Sequence, residues 1–264
     1  MDKTSIFGLI IGFGALIGGL MLKGSDPSVL INPAALVIIM VGTAASLCIA
    51  FPGSEIKKFP TLLKIAFTEE KRIPERELLP VFVEWASIIR RDGIKGIEEQ
   101  MDTIQHPFLK KGVDLIMEGK DSQELKKILE EDLEATEERH HGFASIFTQA
   151  GTYAPTLGVL GAVMGLIGAL GHLDDIEKLG YSIAAAFVAT LYGIFTGYVL
   201  WHPMANKLKR KSQTEIGTGY FIIKGLTSLL EDGSPLIVEQ KLKPLLPSKE
   251  RDSLQAKPTE AEEG

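Results

Sequence analysis

The sequence predicts an all-α integral membrane protein with four transmembrane helices, an all-helical cytoplasmic insert between spans 2 and 3, and a cytoplasmic C-terminal tail. Three observations support this fold class. Four stretches of about twenty residues or more, enough to cross about 30 Å of hydrocarbon, contain no Asp, Glu, Lys or Arg, although 23% of the chain is charged. None of them shows the polar stripe of a helix in a soluble core. The charged residues are crowded into the remaining segments, as expected of a chain with both lipid and water as solvents.

The four predicted spans cover residues 4–22, 30–51, 143–170 and 181–201, so the chain divides into 1–51, 52–142, 143–203 and 204–264. The connections within the first and second pair of spans are short, whereas the insert and the tail are long and polar. Positive residues crowd next to spans 2 and 4, where these two segments begin: Lys57, Lys58, Lys64, Lys207, Lys209, Arg210 and Lys211. The excess of positive charge on the cytoplasmic side predicts that the insert, the tail and both termini are cytoplasmic. The end of the tail is expected to be disordered.

The insert has the pattern of a series of helices. Apolar residues at helical spacing predict a helix over 75–91 that stops at Gly93, and shorter helices over 94–101 and 108–118. Asp121 and Glu124 have the spacing of a capping box and begin a long polar helix that is predicted to run directly into span 3. The insert alone holds too few apolar residues for a large independent core.

Composition and motifs argue against several classes of function. The net charge of −6, without a basic stripe interleaved with aromatic residues, argues against nucleic acid as a partner. The single cysteine, Cys48, excludes an internal disulfide and a cysteine-based metal site. His140 and His141 point about 100° apart on a helix, which does not suit one metal ion. We find no nucleophile, metal or phosphate motif at a span end, and therefore expect no catalytic residues, no metal, no cofactor and no enzymatic activity.

The four spans lack the ionisable group that an ion pathway through a membrane normally requires. Either the chain moves no ions, or a partner helix supplies the acid. Mild polar side chains are available for a narrow wet path or for hydrogen bonds between helices: Gln149, Thr152, Tyr153, Thr156, Thr190, Tyr192 and Thr196. A single threonine in a span more often bonds its own backbone, so both interpretations stay open.

Spans 3 and 4 are rich in Gly and Ala at spacings of three and four residues. Such spacing lets helices approach closely, either within one subunit or in a wall of several subunits. Pro155 lies within span 3, where it is a hinge candidate or a static kink, and Pro203 closes span 4.

Charged residues lie on both sides of one predicted helix end in the insert. Arg90 ends one predicted helix, and Glu98 lies on the next. These charges form either a solvated face that contributes little to stability or a surface that binds a complementary partner. In the second case they would influence the orientation of the partner and its association rate.

Four stretches carry a family resemblance that extends over nearly the whole chain. They are GTYAPTLGVLGAVMGLIGAL (151–170), AAAFVATLYGIFTGYVLWHPMANKLKRK (184–211), INPAALVIIMVGT (31–43) and EWASIIRRDGIKGIEE (84–99). The chain resembles the MotA family, the larger membrane subunit of the bacterial flagellar stator.

The resemblance implies a homo-oligomer of the bacterial inner membrane, a pentamer in this family, which forms a ring around the single helices of a MotB-type dimer. The MotB-type subunit is implied to supply the membrane aspartate, and ion passage to turn the ring against the rotor protein FliG. The matching torque charges are Arg90 and Glu98, the matching prolines are Pro155 and Pro203, and the matching channel-facing threonine is Thr190.

The residue at position 162 bears on the identity of the ion. Sodium-driven relatives tend to carry Thr where this chain has Ala162, and a methyl group offers no oxygen to a dehydrated sodium ion. We therefore predict protons as the translocated ion, with Thr190, Thr156 and Ala162 along the path. Sodium stays an alternative, because Thr156, Thr190 and backbone carbonyls could supply oxygens.

Three other readings remain as alternatives to the stator. A TolQ/ExbB-like energiser of an envelope process would usually have three spans. A membrane enzyme would need a catalytic motif at a span end. A passive scaffold would need its polar span residues only for assembly. Four spans together with Arg90 and Glu98 favour the stator.

Overall fold

The computed structural model describes residues 2–69, 73–103, 106–231 and 233–255, and these residues form helices and connecting turns without a strand. The predicted disordered end of the tail lies largely outside the described residues. The chain divides into two compact units. We call residues 1–70 with 139–211 the membrane unit, and residues 71–138 with 212–264 the insert–tail unit.

Four helical stretches of the described chain are long and apolar enough to cross a membrane, which confirms the predicted fold class. Span 1 is α1 (Lys3–Leu22), begun by Asp2 as N-cap. Span 2 is built in pieces that follow one another without a gap in the helix: α2 (Pro33–Leu36), a π-helical segment (Val37–Val41) and α3 (Gly42–Ala50). Two short helices follow, α4 (Gly53–Ile56) and α5 (Phe59–Phe67).

Span 3 belongs to a single helix of 49 residues, α8 (Ser122–Leu170), which follows α6 (Glu75–Asp92) and α7 (Pro107–Met117). The prediction that a polar helix runs directly into span 3 is thus confirmed. Span 4 consists of α9 (Ile176–Phe195) and a π-helical segment (Thr196–Trp201).

The helix of span 4 does not end at Pro203, where the sequence placed the end of the span. It continues as α10 (His202–Glu231), a helix of 30 residues that extends into the tail as far as Glu231. A proline lacks an N–H donor, and its ring clashes with the carbonyl one turn earlier. The wider π-helical turn immediately before Pro203 relieves that clash, so the helix passes the proline without a break.

Three aromatic side chains pack together where α5 meets spans 3 and 4 of the membrane unit. The rings of Phe59 and Phe147 stack with centroids 4.9 Å apart, and Trp201 packs against both at 6.1 and 6.3 Å. Such contacts contribute beyond the burial of area alone. They fasten α5 to spans 3 and 4.

The insert–tail unit has one hydrophobic core, to which insert and tail contribute together. Phe82 and Trp85 of α6 pack with Leu129 of α8 and with Ile222 and Leu226 of α10, all at most 2% exposed. The tail adds α11 (Pro235–Leu242) and α12 (Ser248–Gln255). The expectation that the insert alone cannot form a large core agrees with this arrangement, because the tail supplies the missing apolar residues.

Candidate functional site

Spans 3 and 4 touch backbone to backbone. A Cβ atom added to Gly158 would lie 2.9 Å from the Ala189 carbonyl oxygen, and one added to Gly193 would lie 2.6 Å from the Ala154 oxygen. A Cβ atom added to Gly165 would lie 2.9 Å from the Ala186 Cβ and 3.1 Å from the Ala186 Cα. The small residues singled out in the sequence therefore bring these two helices together within one subunit, as small residues do in membrane proteins.

Pro155 lies at this crossing and faces the π-helical segment of span 4. Because Pro155 has no N–H group, the carbonyl of Gly151 lacks its usual helical donor. That carbonyl points at Gly197, where an added Cβ would lie 2.8 Å from the Gly151 oxygen. The helix α8 continues through Pro155. The turn of α8 that contains Pro155 and the π-helical segment of span 4 therefore face each other. The hinge role of Pro155 stays a prediction.

The predicted ion-path residues lie near the middle of spans 3 and 4. An added Cβ on Gly161 would touch Ala189 at 3.0 Å, which places Thr190 at the height of residues 158–161. Thr190 and Ala162 are half-buried, whereas Thr156, less than two turns away on α8, is exposed. The Thr156 hydroxyl donates to the Thr152 carbonyl at 2.8 Å. Thr190 therefore lies at a height between Thr156 and Ala162, which are about 9 Å apart along α8.

The outward surfaces of spans 3 and 4 are strongly apolar. Val163 and Ile167 of span 3 are 48% and 64% exposed, and Phe187 of span 4 is 70% exposed. Contiguous apolar surface of this kind requires lipid or another protein chain to cover it.

Two hydrogen bonds that the sequence interpretation missed tie span 4 to the start of span 2. The Asn32 side chain caps α2 through Ala35 N–H and donates its amide to the Ala185 carbonyl at 3.1 Å. The Tyr192 hydroxyl donates to the Leu30 carbonyl. The available signal was the Asn-Pro pair at the start of span 2, which is typical of a helix N-terminus.

An ion pair at the start of span 1 was also missed. The Asp2 carboxylate pairs with Lys207 of α10 and accepts from Thr4 N–H at 3.1 Å, and Lys207 also donates to Ser5. The Asp2 N–H donates to the Phe67 carbonyl at 2.8 Å. The hydrogen bond from Lys207, followed by the one from Thr4, holds the pKa of Asp2 well below its ordinary value. Asp2 thereby fastens α1, α5 and α10 to one another.

In the insert–tail unit, a tight turn sets the positions of Arg90 and Glu98. Gly93 ends α6 with a φ of 77°, a conformation that favours glycine. The following 3-10 helix (Ile94–Thr103) returns so closely that a Cβ on Gly96 would lie 2.6 Å from Ile88. Fully buried Ile97 anchors the turn.

Arg90 and Glu98 both remain exposed on either side of this turn. Within the part of the chain that the structure describes, neither forms an ion pair, whereas neighbouring Arg91 pairs with Asp92 at 2.8 Å. The two predicted charges are therefore held by a rigid turn and point to solvent, as a surface offered to a partner requires.

The described residues contain no group of three or more His, Cys, Asp or Glu side chains that could hold a metal ion. The fold and the site together define an integral membrane protein with two closely packed spans whose outer apolar faces contact lipid or another protein chain. The insert–tail unit presents two exposed charges, Arg90 and Glu98, that form no ion pair within the described residues.

Comparison with known proteins identifies the family. The model of the motility protein A N-terminal region matches residues 6–93, and the model of the MotA/TolQ/ExbB proton channel family matches residues 100–218. The chain is 52% identical over 251 residues to motility protein A of Bacillus subtilis (strain 168), covering 95% of this chain and 93% of that protein.

Two solved structures agree with that match. The chain resembles a chain of the flagellar MotAB stator complex from Bacillus subtilis with a TM-score of 0.91 and 51% identity, covering 96% of this chain and 99% of that one. It resembles C. jejuni MotAB with a TM-score of 0.87 and 29% identity, covering 94% and 97%. The chain belongs to the MotA family, whose members are membrane components of a motor, and it is a protein of the bacterial inner membrane. The resemblance noted in the sequence is confirmed.

Proposed function

We propose that this chain is a flagellar stator subunit that forms a ring around the membrane helices of a MotB-type dimer. Membership of the MotA family implies that this ring is a pentamer. The ring conducts protons down their gradient and turns this flow into torque on the rotor protein FliG. The match to the Bacillus subtilis MotAB stator complex over 96% of the chain carries this proposal. The chain then acts as a channel and motor component and not as an enzyme.

Features of the spans support a partner that brings the acid. The predicted spans contain no Asp, Glu, Lys or Arg, so a proton carrier in the membrane has to come from another chain. The exposed apolar faces of spans 3 and 4 offer a surface for neighbouring copies and for the partner helix. Pro155 and Pro203 lie where movement of these spans would bend the helices.

The charge pattern supports an orientation with both termini, the insert and the tail in the cytoplasm. The exposed side chains of Arg90 and Glu98 then lie on the side of the rotor, where complementary charges on FliG would set the encounter and the direction of push. The MotA N-terminal match over residues 6–93 favours the stator over a TolQ/ExbB-like energiser.

Protons are favoured as the ion because Ala162 presents a methyl group at the height of Thr190. The test is swimming speed in cells whose only stator is this chain with its MotB-type partner. External sodium is varied at constant pH, ionic strength and membrane potential. Speed that ignores sodium and is abolished by a protonophore supports proton coupling, whereas speed that follows sodium identifies a sodium motor. Cells that never swim, although the complex is assembled, contradict the stator function itself.

A further inference from the structure

Span 1 contacts the rest of the membrane unit at two levels that lie about 15 Å apart along its helix. At the first level, Asp2 forms its ion pair with Lys207. At the second, Gly12 lies against Val199, where an added Cβ would be 2.8 Å from the Val199 Cγ1. Between these levels, a Cβ added to Gly8 would meet nothing within 4 Å. A gap therefore separates span 1 from span 4 between its two contacts.

This gap is a cavity of about 390 Å³, within the range of about 300–1,000 Å³ that is usual for ligand sites. Its walls are mostly apolar and come from span 1, α5, span 4 and the start of α10: Leu9, Ala66, Phe67, Val199, Leu200 and Met204. Ordered water needs two or more polar partners, which such walls do not supply. Leaving the space empty would deprive the walls of van der Waals contacts. The cavity therefore suits an apolar occupant.

Polar groups line the cavity beside the start of span 1. They are the side chains of Thr4, Ser5 and Lys207. An ammonium group has three donors, and Asp2 and Ser5 accept from two of those of Lys207. One donor of Lys207 therefore remains for an oxygen atom of the occupant. An apolar cavity with a hydrogen-bond donor at one end matches an amphiphile, a molecule with an apolar chain and a polar head.

The polar end of the cavity lies at a membrane surface, because Lys3 is the last charged residue before the long uncharged stretch of span 1. Around this end the positive residues Lys3, Lys207 and Lys211 outnumber the acids Asp2 and Glu69. The Lys211 ammonium is held in place by the Ile65 carbonyl of α5, at 2.6 Å. An excess of positive charge at a membrane surface attracts the headgroups of anionic lipids.

We propose that this cavity binds one anionic phospholipid, with an acyl chain between span 1 and span 4 and the phosphate group beside Lys207. The inference goes beyond the proposed function, and it places the lipid in the cytoplasmic leaflet if the termini are cytoplasmic. The bound lipid fills the space between the two contacts and couples span 1 to span 4. Ordinary bilayer lipid, in contrast, contacts exposed side chains of span 1 such as Ile10, which is 64% exposed and does not line the cavity.

Photocrosslinking in the complete complex with the MotB-type partner tests the site. The complex is reconstituted in nanodiscs that contain phosphatidylglycerol with a diazirine on an acyl chain, and the labelled residues are identified by mass spectrometry. We expect label on Ile10, which reports bilayer lipid, and also on Met204. Met204 lines the cavity and is only 8% exposed, so bilayer lipid outside the cavity does not reach it. Label on Ile10 without label on Met204 overturns the proposal, including the case in which another copy of the chain fills the cavity.

A variant that fills the cavity provides the matched comparison. Gly8→Leu places a side chain in the space and is expected to lower the label on Met204 severalfold, with the label on Ile10 unchanged. Gly14→Leu is the control, because Gly14 lies in the same span, does not line the cavity and also has nothing within 4 Å of an added Cβ. It should leave both labels unchanged. Equal label on Met204 in the Gly8→Leu and parental complexes overturns the site.

The headgroup is tested separately. Phosphatidylcholine with the same diazirine chain should label Met204 severalfold less than phosphatidylglycerol does. In detergent, added phosphatidylglycerol should raise the unfolding temperature of the parental complex and of Gly14→Leu but not of Gly8→Leu, and inorganic phosphate should change none of them. Equal labelling by the two lipids, or an equal shift with inorganic phosphate, overturns the anionic phospholipid. None of these measurements uses motility, so cells that never swim contradict the proposed function alone.

Discussion

Pro155 of span 3 lies directly against Gly197 of span 4: a Cβ atom added to Gly197 would sit 2.8 Å from the Pro155 Cγ. Real Cβ atoms do not approach carbon atoms this closely, so no larger residue fits at position 197 while the spans keep their positions. Pro155 leaves the Gly151 carbonyl without its helical donor, and that carbonyl lies against Gly197. Pro155 and Gly197 therefore belong to one contact between the two spans.

Gly197→Ala is expected to force the two spans apart and to destabilise the complex by about 1–3 kcal/mol, the usual effect of overpacking. Thermal unfolding of the detergent-solubilised complex measures this. The control is Gly14→Ala in span 1, where an added Cβ meets nothing within 4 Å. If both variants unfold at the same temperature, the contact is looser than the structure shows.

Pro155→Ala restores an N–H donor to the Gly151 carbonyl and is expected to stiffen span 3. We predict impaired rotation with normal membrane insertion and assembly, measured as swimming speed and as yield of the purified complex. Pro80→Ala is the matched control, because Pro80 also lies inside a helix but outside the membrane unit. Normal swimming of a Pro155→Ala strain would contradict the hinge hypothesis.

Reversing an exposed charge, as in Arg90→Glu or Glu98→Lys, is expected to weaken torque without blocking assembly. The reason is that exposed charges contribute little to folding but much to the encounter with a charged partner. Torque is measured on tethered cells under load. Arg76→Glu, an exposed position at the other end of α6, should leave torque unchanged. Loss of the complex in the Arg90 variant would show that this charge is structural.

The Asp2 and Lys207 pair predicts a defined pH dependence. The pKa of Asp2 is lowered in the folded protein from an ordinary value of 3.8. Its contribution to stability is therefore complete above that value and is lost as the pH falls further below it. Asp2→Asn should lower the unfolding temperature of the complex at pH 7, and the difference from the parental protein should shrink below about pH 4.

Two further variants separate this pair from a general charge effect. The exchange of Asp2→Lys with Lys207→Asp should recover part of the stability lost in either single variant. Asp174→Asn, an exposed position in the loop between spans 3 and 4, should have no effect at any pH. A constant difference between Asp2→Asn and the parental protein down to pH 3 would contradict the assigned role.

Local features of the chain were predictable because they depend on neighbours in sequence. The position of each span follows from the length of an uncharged apolar stretch, and the turn at Gly93 follows from a glycine at a helix end. The continuous α8 was predicted correctly because the capping residues and the polar and apolar portions of one helix are adjacent. Small residues at helical spacing predicted that spans 3 and 4 approach other helices closely, and they left open whether this happens within one subunit or between subunits.

The sequence alone determined the membrane spans, the helical character of the insert, the family and the candidate residues. These features depend on composition, spacing and motifs, which involve residues close together in the chain. The tertiary structure alone decided which distant groups meet. It showed that Ile222 and Leu226 of the tail complete the core begun by Phe82. It also showed that Asp2 pairs with Lys207 and that the helix passes Pro203 through a π-helical turn. The physical reason is that burial and hydrogen bonding select partners in space, and partners some two hundred residues apart leave no mark on the local pattern.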